Sequence, residues 1–306
     1  MRCPALNELP PPPSGKTGWP WTVEPARVPA MRPHGSPWPR ISIVTPSYNQ
    51  GQFIEETIRS VLLQGYPDLE YIIIDGGSTD GTVDVIKTYE QWLTYWISEK
   101  DRGQSHAINK GFTKTSGQIG AYLNSDDFYL PGAVAYSAAS FCRLDWDLLI
   151  GRRDFRYRPS WRWLRRSWWL LRIRFLPPPF LVGHDAHDIP QESTFWNLKK
   201  FRTARFDEDL HFCFDLEWYC RVARGAAIAL SARKIGYFRE HDASKTTNLQ
   251  SLAQSESAMI LARVKENGVN YAENQHILKR YSRELPLSFL SKVATGNAEF
   301  LYAHPL

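Results

Sequence analysis

Apolar residues along the chain switch between two rhythms, and the switches predict alternating strands and helices. Ile41-Ser42-Ile43-Val44-Thr45 is a short β-branched run, as a buried strand requires. Pro46 to Gly51 reads as a loop. From Gln52 to Gln64, Phe53, Ile54, Thr57, Ile58, Val61 and Leu62 recur at helical spacing. Tyr71 to Ile74 predicts a second buried strand, ending at Asp75. Gly76 to Gly81 reads as a turn capping a helix that carries Val83, Ile86 and Tyr89. Thr94 to Ile97 predicts a third strand, Gln104 to about Lys114 a helix, and Gln118 to Leu123 a fourth strand. Asn124-Ser125-Asp126-Asp127 stands at the end of that strand.

Strands alternating with helices imply an α/β fold with a mostly parallel sheet flanked by helices. Ligands of such sheets collect beyond the carboxyl ends of the strands. Thr45, Asp75 and Asp126-Asp127 are therefore expected on one rim, although they are distant in sequence.

The flanks read differently. Residues 1–39 are proline-rich, and proline fixes φ and removes a donor, so they predict an extended arm or a disordered lead. Trp19, Trp21 and Trp38 are candidates to pin it to the body. Beyond residue 145 the pattern is less regular, with a helix expected over Phe214–Ala223 and a strand over Ala226–Leu230. Two C-terminal helices are expected, over Ser251–Glu266 and Glu273–Ala294. The divisions are thus 1–39, 40–145, 146–247 and 248–306.

Composition changes this picture little. The 306 residues are 43% hydrophobic and 23% charged, an ordinary globular balance. A net charge of +5 does not by itself imply a nucleic-acid partner, and none is expected. Cys3, Cys142, Cys213 and Cys220 show no zinc-site spacing and no disulfide framework, which suits reduced thiols in a cytoplasmic protein. Neither a signal peptide nor a run of roughly 20 apolar residues is apparent. The expectation is a cytoplasmic protein, free or resting on the inner face of the membrane.

Taken together, several blocks resemble family 2 glycosyltransferases of the GT-A fold. They are Ile43-Val44-Thr45-Pro46-Ser47-Tyr48-Asn49, Ile74-Asp75-Gly76-Gly77-Ser78-Thr79-Asp80-Gly81, Asp101-Arg102-Gly103-Gln104, Ala107-Ile108-Asn109-Lys110-Gly111 and Asn124-Ser125-Asp126-Asp127. The likeness continues more thinly through Pro190 to Trp196, Phe206-Asp207-Glu208, Phe214 to Trp218 and His241 to Thr246. It implies an inverting transferase that moves a sugar from a nucleotide-diphosphate donor, by family habit UDP-linked, onto an acceptor hydroxyl in polysaccharide or glycoconjugate synthesis. The turn at Gly76 is not the dinucleotide fingerprint and follows the second strand, which argues against an NAD enzyme.

Two adjacent carboxylates at a strand end repel unless a cation neutralises them, and hard Mg²⁺ or Mn²⁺ shares such ligands with phosphates. The plain alternative is a helix cap. The resemblance makes Asp127 the main metal ligand and turns Asp126 towards ribose and metal. It puts Thr45, Pro46, Tyr48 and Asn49 around the base, with Asp75 bonding base or ribose. Asp75 reads equally as a turn former. Asp101, Gly103, Gln104 and Asn124 join the nucleotide side, and Lys110 faces either phosphate or solvent. A sugar hydroxyl needs a carboxylate to take its proton. Asp215 aligns with the family's base and Glu217 is the reserve, while Phe214 replaces the family's preceding Glu. Gln191, Glu192, Ser193 and Thr194 look like the acceptor or diphosphate side. His241 completes the metal shell, bonds the diphosphate or is structural; Lys245 neutralises phosphate.

Arg152 to Arg174 holds nine arginines and four tryptophans. Such a mixture suits a saccharide or lipid-linked acceptor at an anionic leaflet, a nucleic acid, or a solvated basic surface. His184, Asp185, His187 and Asp188 read as a polar loop. The rival to catalysis is a nucleotide-sugar or nucleic-acid binding protein on the same scaffold.

Overall fold

The computed structural model describes residues 3–154, 189–223, 225–266 and 299–302. Four consecutive parallel strands form its first half: β1 (Ile41–Ser47), β2 (Leu69–Asp75), β3 (Tyr95–Ser98) and β4 (Ile119–Tyr122). Between them run α1 (Ile54–Leu62), α2 (Thr82–Tyr89) and α3 (Gln104–Phe112). Both faces of β1 and β2 are buried, which is why these strands read as unbroken apolar runs. Ile41, Ile43, Tyr71 and Ile73 pack with α1 and α2, whereas Val44, Ile72 and Ile74 pack with α3.

The second half is mixed. It comprises β5 (Phe128–Tyr129), α4 (Ala133–Leu144), β6 (Leu148–Asp154), β7 (Thr194–Asn197), α5 (Leu198–Phe201), α6 (Phe214–Val222) and β8 (Ile228–Tyr237). Then follow α7 (Lys245–Asn248), α8 (Gln250–Glu266) and β9 (Glu299–Tyr302). The sheet runs β3-β2-β1-β4-β7-β6-β8-β5, with β9 on β8. β7 is antiparallel to both β4 and β6, so the parallel order is confined to the first half and the β6–β8 pair. β8 is twice the expected length: it runs past Leu230 through the exposed, polar Arg233 and Lys234, which interrupt the apolar run, to Tyr237.

The N-terminal arm is extended and packed. Arg59, fully buried on α1, donates to the carbonyls of Pro10, Pro20 and Trp21 at 2.8, 3.2 and 3.1 Å. Its guanidinium also lies 5.3 Å from the Trp21 ring centre, a favourable cation–π placement. Prolines keep their carbonyl acceptors although they lack N–H groups, so a proline-rich strand suits a buried arginine. Trp19 Nε1 donates to Tyr129 O at 2.8 Å, pinning the arm to β5.

Most of the arginine- and tryptophan-rich segment, the 184–188 cluster and the expected helix over 273–294 lie outside the described residues. Among the described residues, no helix is long and apolar enough to cross a membrane. The four cysteines are free thiols; burial pushes those of Cys213 and Cys220 up to about 12.

Candidate functional site

The ends of β1, β2 and β4 meet because their registers align Ser47 with Asp75 and Val44 with Tyr122. From Asp75 a continuous set of contacts runs along this edge. A Cβ at Gly76 would lie 2.7 Å from Asp101 Oδ2, so any larger residue there must displace the Asp101 carboxylate. Asp101 Oδ1 accepts from Gly103 N at 2.8 Å, and Gly103 adopts φ 120°, a conformation glycine tolerates, to start α3. Gln104 Nε2 donates to Asn124 Oδ1 at 2.7 Å. Asn124 Nδ2 then donates to Gln191 Oε1 at 3.2 Å and lies 3.5 Å from Asp127 Oδ2.

Asp127 is the most constrained member. It is 1% exposed, and Thr57 Oγ1 on α1 donates to its carbonyl at 2.6 Å. Burial, then the charges of Asp126 and Glu192, push its carboxyl well above the usual range, while Arg239 N and Arg153 pull the other way. Arg239 N donates to Asp127 Oδ1 at 2.9 Å and Arg239 Nε to Asp126 O at 2.8 Å. His241 Nε2 lies 3.1 Å from Asp126 Oδ2, and its ring is tilted against Phe53 at 4.5 Å. His241 Nδ1 is buried without a hydrogen-bond partner among the described residues.

Asp215 opens α6, two residues before Glu217, and a step of two places them on different faces of the helix. Burial raises the phenols of Tyr122 and Tyr219 first; the charges of Asp215 and Glu192 add to each, and Asp127 adds at Tyr122. The Tyr122 ring joins Trp196, Phe206 and Phe214 in an aromatic cluster that fixes this floor.

Other expected residues fall elsewhere. Asp75 is buried and takes four donors, from Gly77 N, Ser78 N, Ser78 Oγ and Ser98 Oγ, so its carboxylate builds the turn. Asn49, at φ 51°, accepts from Thr79 N at 3.0 Å and stitches the first loop to that turn. Tyr48 is 62% exposed at the rim, whereas Pro46 and Thr45 are buried and Thr45 Oγ1 sits 3.2 Å from Tyr71 OH. Ser193 Oγ donates to Arg152 O and Thr194 Oγ1 to Pro190 O, so both hydroxyls serve the sheet. Glu192 is 1% exposed and 2.9 Å from Arg153 Nε. Lys110 pairs with Glu99, and Glu217 with Arg221. These two residues line a separate open cleft of about 720 Å³ between α3 and α6. Lys245 Nζ donates to Gln104 Oε1 at 2.9 Å; burial lowers its pKa, and the charges of Asp101 and Asp126 oppose that shift.

Sequence reasoning missed Thr57, Glu56 and Arg153. Thr57 had a visible signal, a polar residue on the apolar stripe of α1. Glu56 and Arg153 had none, since each acts through a partner remote in sequence.

A divalent cation suits the donor set. Asp126 and Asp127 offer hard oxygens, and the second carboxylate keeps the first under-neutralised. Among the described residues no three His, Cys, Asp or Glu side chains are grouped to hold a metal ion. Two carboxylates alone would leave a cation open to other oxygen ligands, as is usual for magnesium-like sites.

A family model described as glycosyl transferase family 2 matches residues 42–221. An uncharacterized glycosyltransferase of Rickettsia typhi is 26% identical over 231 residues, 72% of this chain and 70% of that protein. A putative teichuronic acid biosynthesis glycosyltransferase, TuaG of Bacillus subtilis, is 41% identical over 92 residues, 29% of this chain and only 36% of its own length. Among solved structures, S. aureus TarS 1-349 in complex with UDP-GlcNAc superposes with a TM-score of 0.60 at 17% identity, over 84% of this chain and 79% of TarS. Mannosyltransferase PcManGT from Pyrobaculum calidifontis, in complex with GDP-Man and Mn²⁺, gives 0.57 at 17%, over 85% and 83%.

Proposed function

This chain belongs to glycosyl transferase family 2 and has the GT-A fold, and from that premise we propose that it transfers a sugar from a UDP-linked donor to an acceptor hydroxyl with inversion. The observation that carries the reading is the chain of contacts from Asp101 and Gln104 through Asn124 to Asp127, with Arg239 and His241 closing on Asp127 and Asp126. The two structures of this fold described above hold nucleotide sugars, which supports the donor class. The teichuronic-acid relative supports a role in cell-surface polysaccharide synthesis.

In this reading the nucleotide lies along Tyr48, Asn49 and the turn that Asp75 shapes, with Asp101 as the opposite wall. A divalent cation on Asp127 and Asp126, beside His241, would neutralise the diphosphate as it leaves. Lys245 lies within reach of the same diphosphate. Gln191, through Asn124, holds Asp127 from the acceptor side, while Glu192 adds negative charge beside it. Asp215 accepts the proton of the acceptor hydroxyl as its oxygen attacks the anomeric carbon. The bond to the diphosphate breaks on the opposite face, and its electron pair departs with the nucleoside diphosphate. Configuration inverts and no covalent enzyme intermediate forms.

Asp215→Asn tests the reading. Transfer should fall by about 10² to 10⁴, the usual worth of a positioned base, with donor affinity by calorimetry kept. A variant that transfers sugar at the parent rate would remove Asp215 from the mechanism.

A further inference from the structure

Three backbone N–H groups ahead of α6 converge on one carboxylate from another helix. His211, Phe212 and Cys213 donate to Glu256 at 2.8, 2.9 and 2.7 Å. Glu256 lies on α8, beyond the residues that match the family, and is 7% exposed. The capping residue of α6, Cys213, makes no side-chain capping bond of its own. A helix start leaves four N–H groups unpaired within the helix. Here the turn leading into them is held from more than forty residues away in sequence. Carboxylate-to-amide bonds are of the stronger, charge-assisted class, and a negative group suits a helix N-terminus. Cys213 Sγ also donates to Ala253 O at 3.4 Å, a second tie between the same two elements.

The turn reaches the site in two places. Asp215 sits in the first turn of α6, immediately after the held amides. On the other side, the carbonyl of His211 accepts from Lys245 Nζ at 3.4 Å. One carboxylate thus fixes both the start of the helix that presents Asp215 and a perch of Lys245.

We propose that Glu256 is a positioning residue for the transfer, holding the start of α6 so that Asp215 meets the acceptor hydroxyl in line. The inference rests on Asp215 being the base. It also makes α8 a working part of the site, although α8 contributes no group to the reacting atoms.

The test uses the full chain with Glu256→Gln, Asp215→Asn and the double variant. Glu256→Gln should lower kcat by about 10- to 100-fold, the scale of a small misplacement of a reacting group. Donor KM should stay within about twofold, because Lys245 keeps its shorter bond to Gln104 Oε1 and the rest of the nucleotide edge is built by other segments. The double variant should be no slower than Asp215→Asn alone, since groups acting as a unit are not additive. Cys213→Ser offers α6 a local cap and should recover much of the rate lost in the Glu256→Gln background. The proposal is overturned by an unchanged kcat, by kcat and donor KM worsening in proportion, or by a loss of rate or folding that Cys213→Ser does not reverse. Full activity of Asp215→Asn is a different failure, that of the base assignment itself.

Discussion

Arg239 ties the end of β8 to α1, with Nη2 2.8 Å from Glu56 Oε2, both side chains less than one-fifth exposed. The same guanidinium lies 4.8 Å from the Phe53 ring centre and 5.7 Å from that of Phe128. A single side chain thus braces the backbone of Asp126 and the helix behind it. Arg239→Ala should destabilise the protein by about 2 kcal/mol, in the range of broken part-buried networks. A double-mutant cycle with Glu56→Gln, read by urea melts, should give a coupling of about 0.5–3 kcal/mol. Strict additivity would show that the pair is incidental.

Glu217 is held by Arg221 through two 2.9 Å bonds, on a face that lines the other cleft. Glu217→Gln should leave kcat within about threefold of the parent, against the orders of magnitude expected for the base. Steady-state kinetics of the two variants side by side decide between the acids, and a collapse of kcat in Glu217→Gln would reverse their roles.

The arm supplies all three backbone carbonyls that receive Arg59. A chain starting at Arg40 should therefore lose at least about 3 kcal/mol, since three hydrogen bonds from a charged donor, worth about 1.5–3 kcal/mol each, go with the arm. Arg59→Met in the full chain should cost a comparable amount, because it leaves the same three carbonyls without their donor. Thermal melts of the three proteins measure this; a truncated chain as stable as the parent would refute it.

Glu256 also makes a pH prediction. Burial alone would raise its carboxyl, but the amides of Cys213, His211 and Phe212 outweigh burial and hold it below the usual 4.5. Its contribution to stability is present above that ordinary value. It is lost as pH falls through the lower folded value, because the unfolded chain takes up the proton first. Melting temperature measured from about pH 6 to 3 should fall less steeply in Glu256→Gln than in the parent. Parallel curves would mean that the carboxyl is not specially held.

The parallel half was legible in the sequence because its strands are buried on both faces. Ile41–Val44 and Tyr71–Ile74 then read as plain apolar runs, and each polar residue after them lands on the same edge. The mixed half was not: β6 and β7 carry Arg152, Arg153 and Asn197 within the strand, and β5 has two residues. Strand pairing there is set by neighbours remote along the chain. Side-chain direction was the other gap. Thr45 and Thr194 lie at strand ends yet turn inward, and Lys110 turns to Glu99. The arm was legible at Trp19 and Trp21, which do pack on the body, but its dependence on one arginine of a distant helix was not.

The approach of Gly76 to Asp101 sets a dimension of the cleft. Any larger residue at 76 would push the facing carboxylate outward, and with it the amide that begins α3. The spacing between the Asp75 turn and the start of α3 is therefore gauged by a hydrogen where other residues carry a methyl. Under the proposed function, a substitution at 76 would retune nucleotide selectivity by moving Asp101 rather than by a contact of its own.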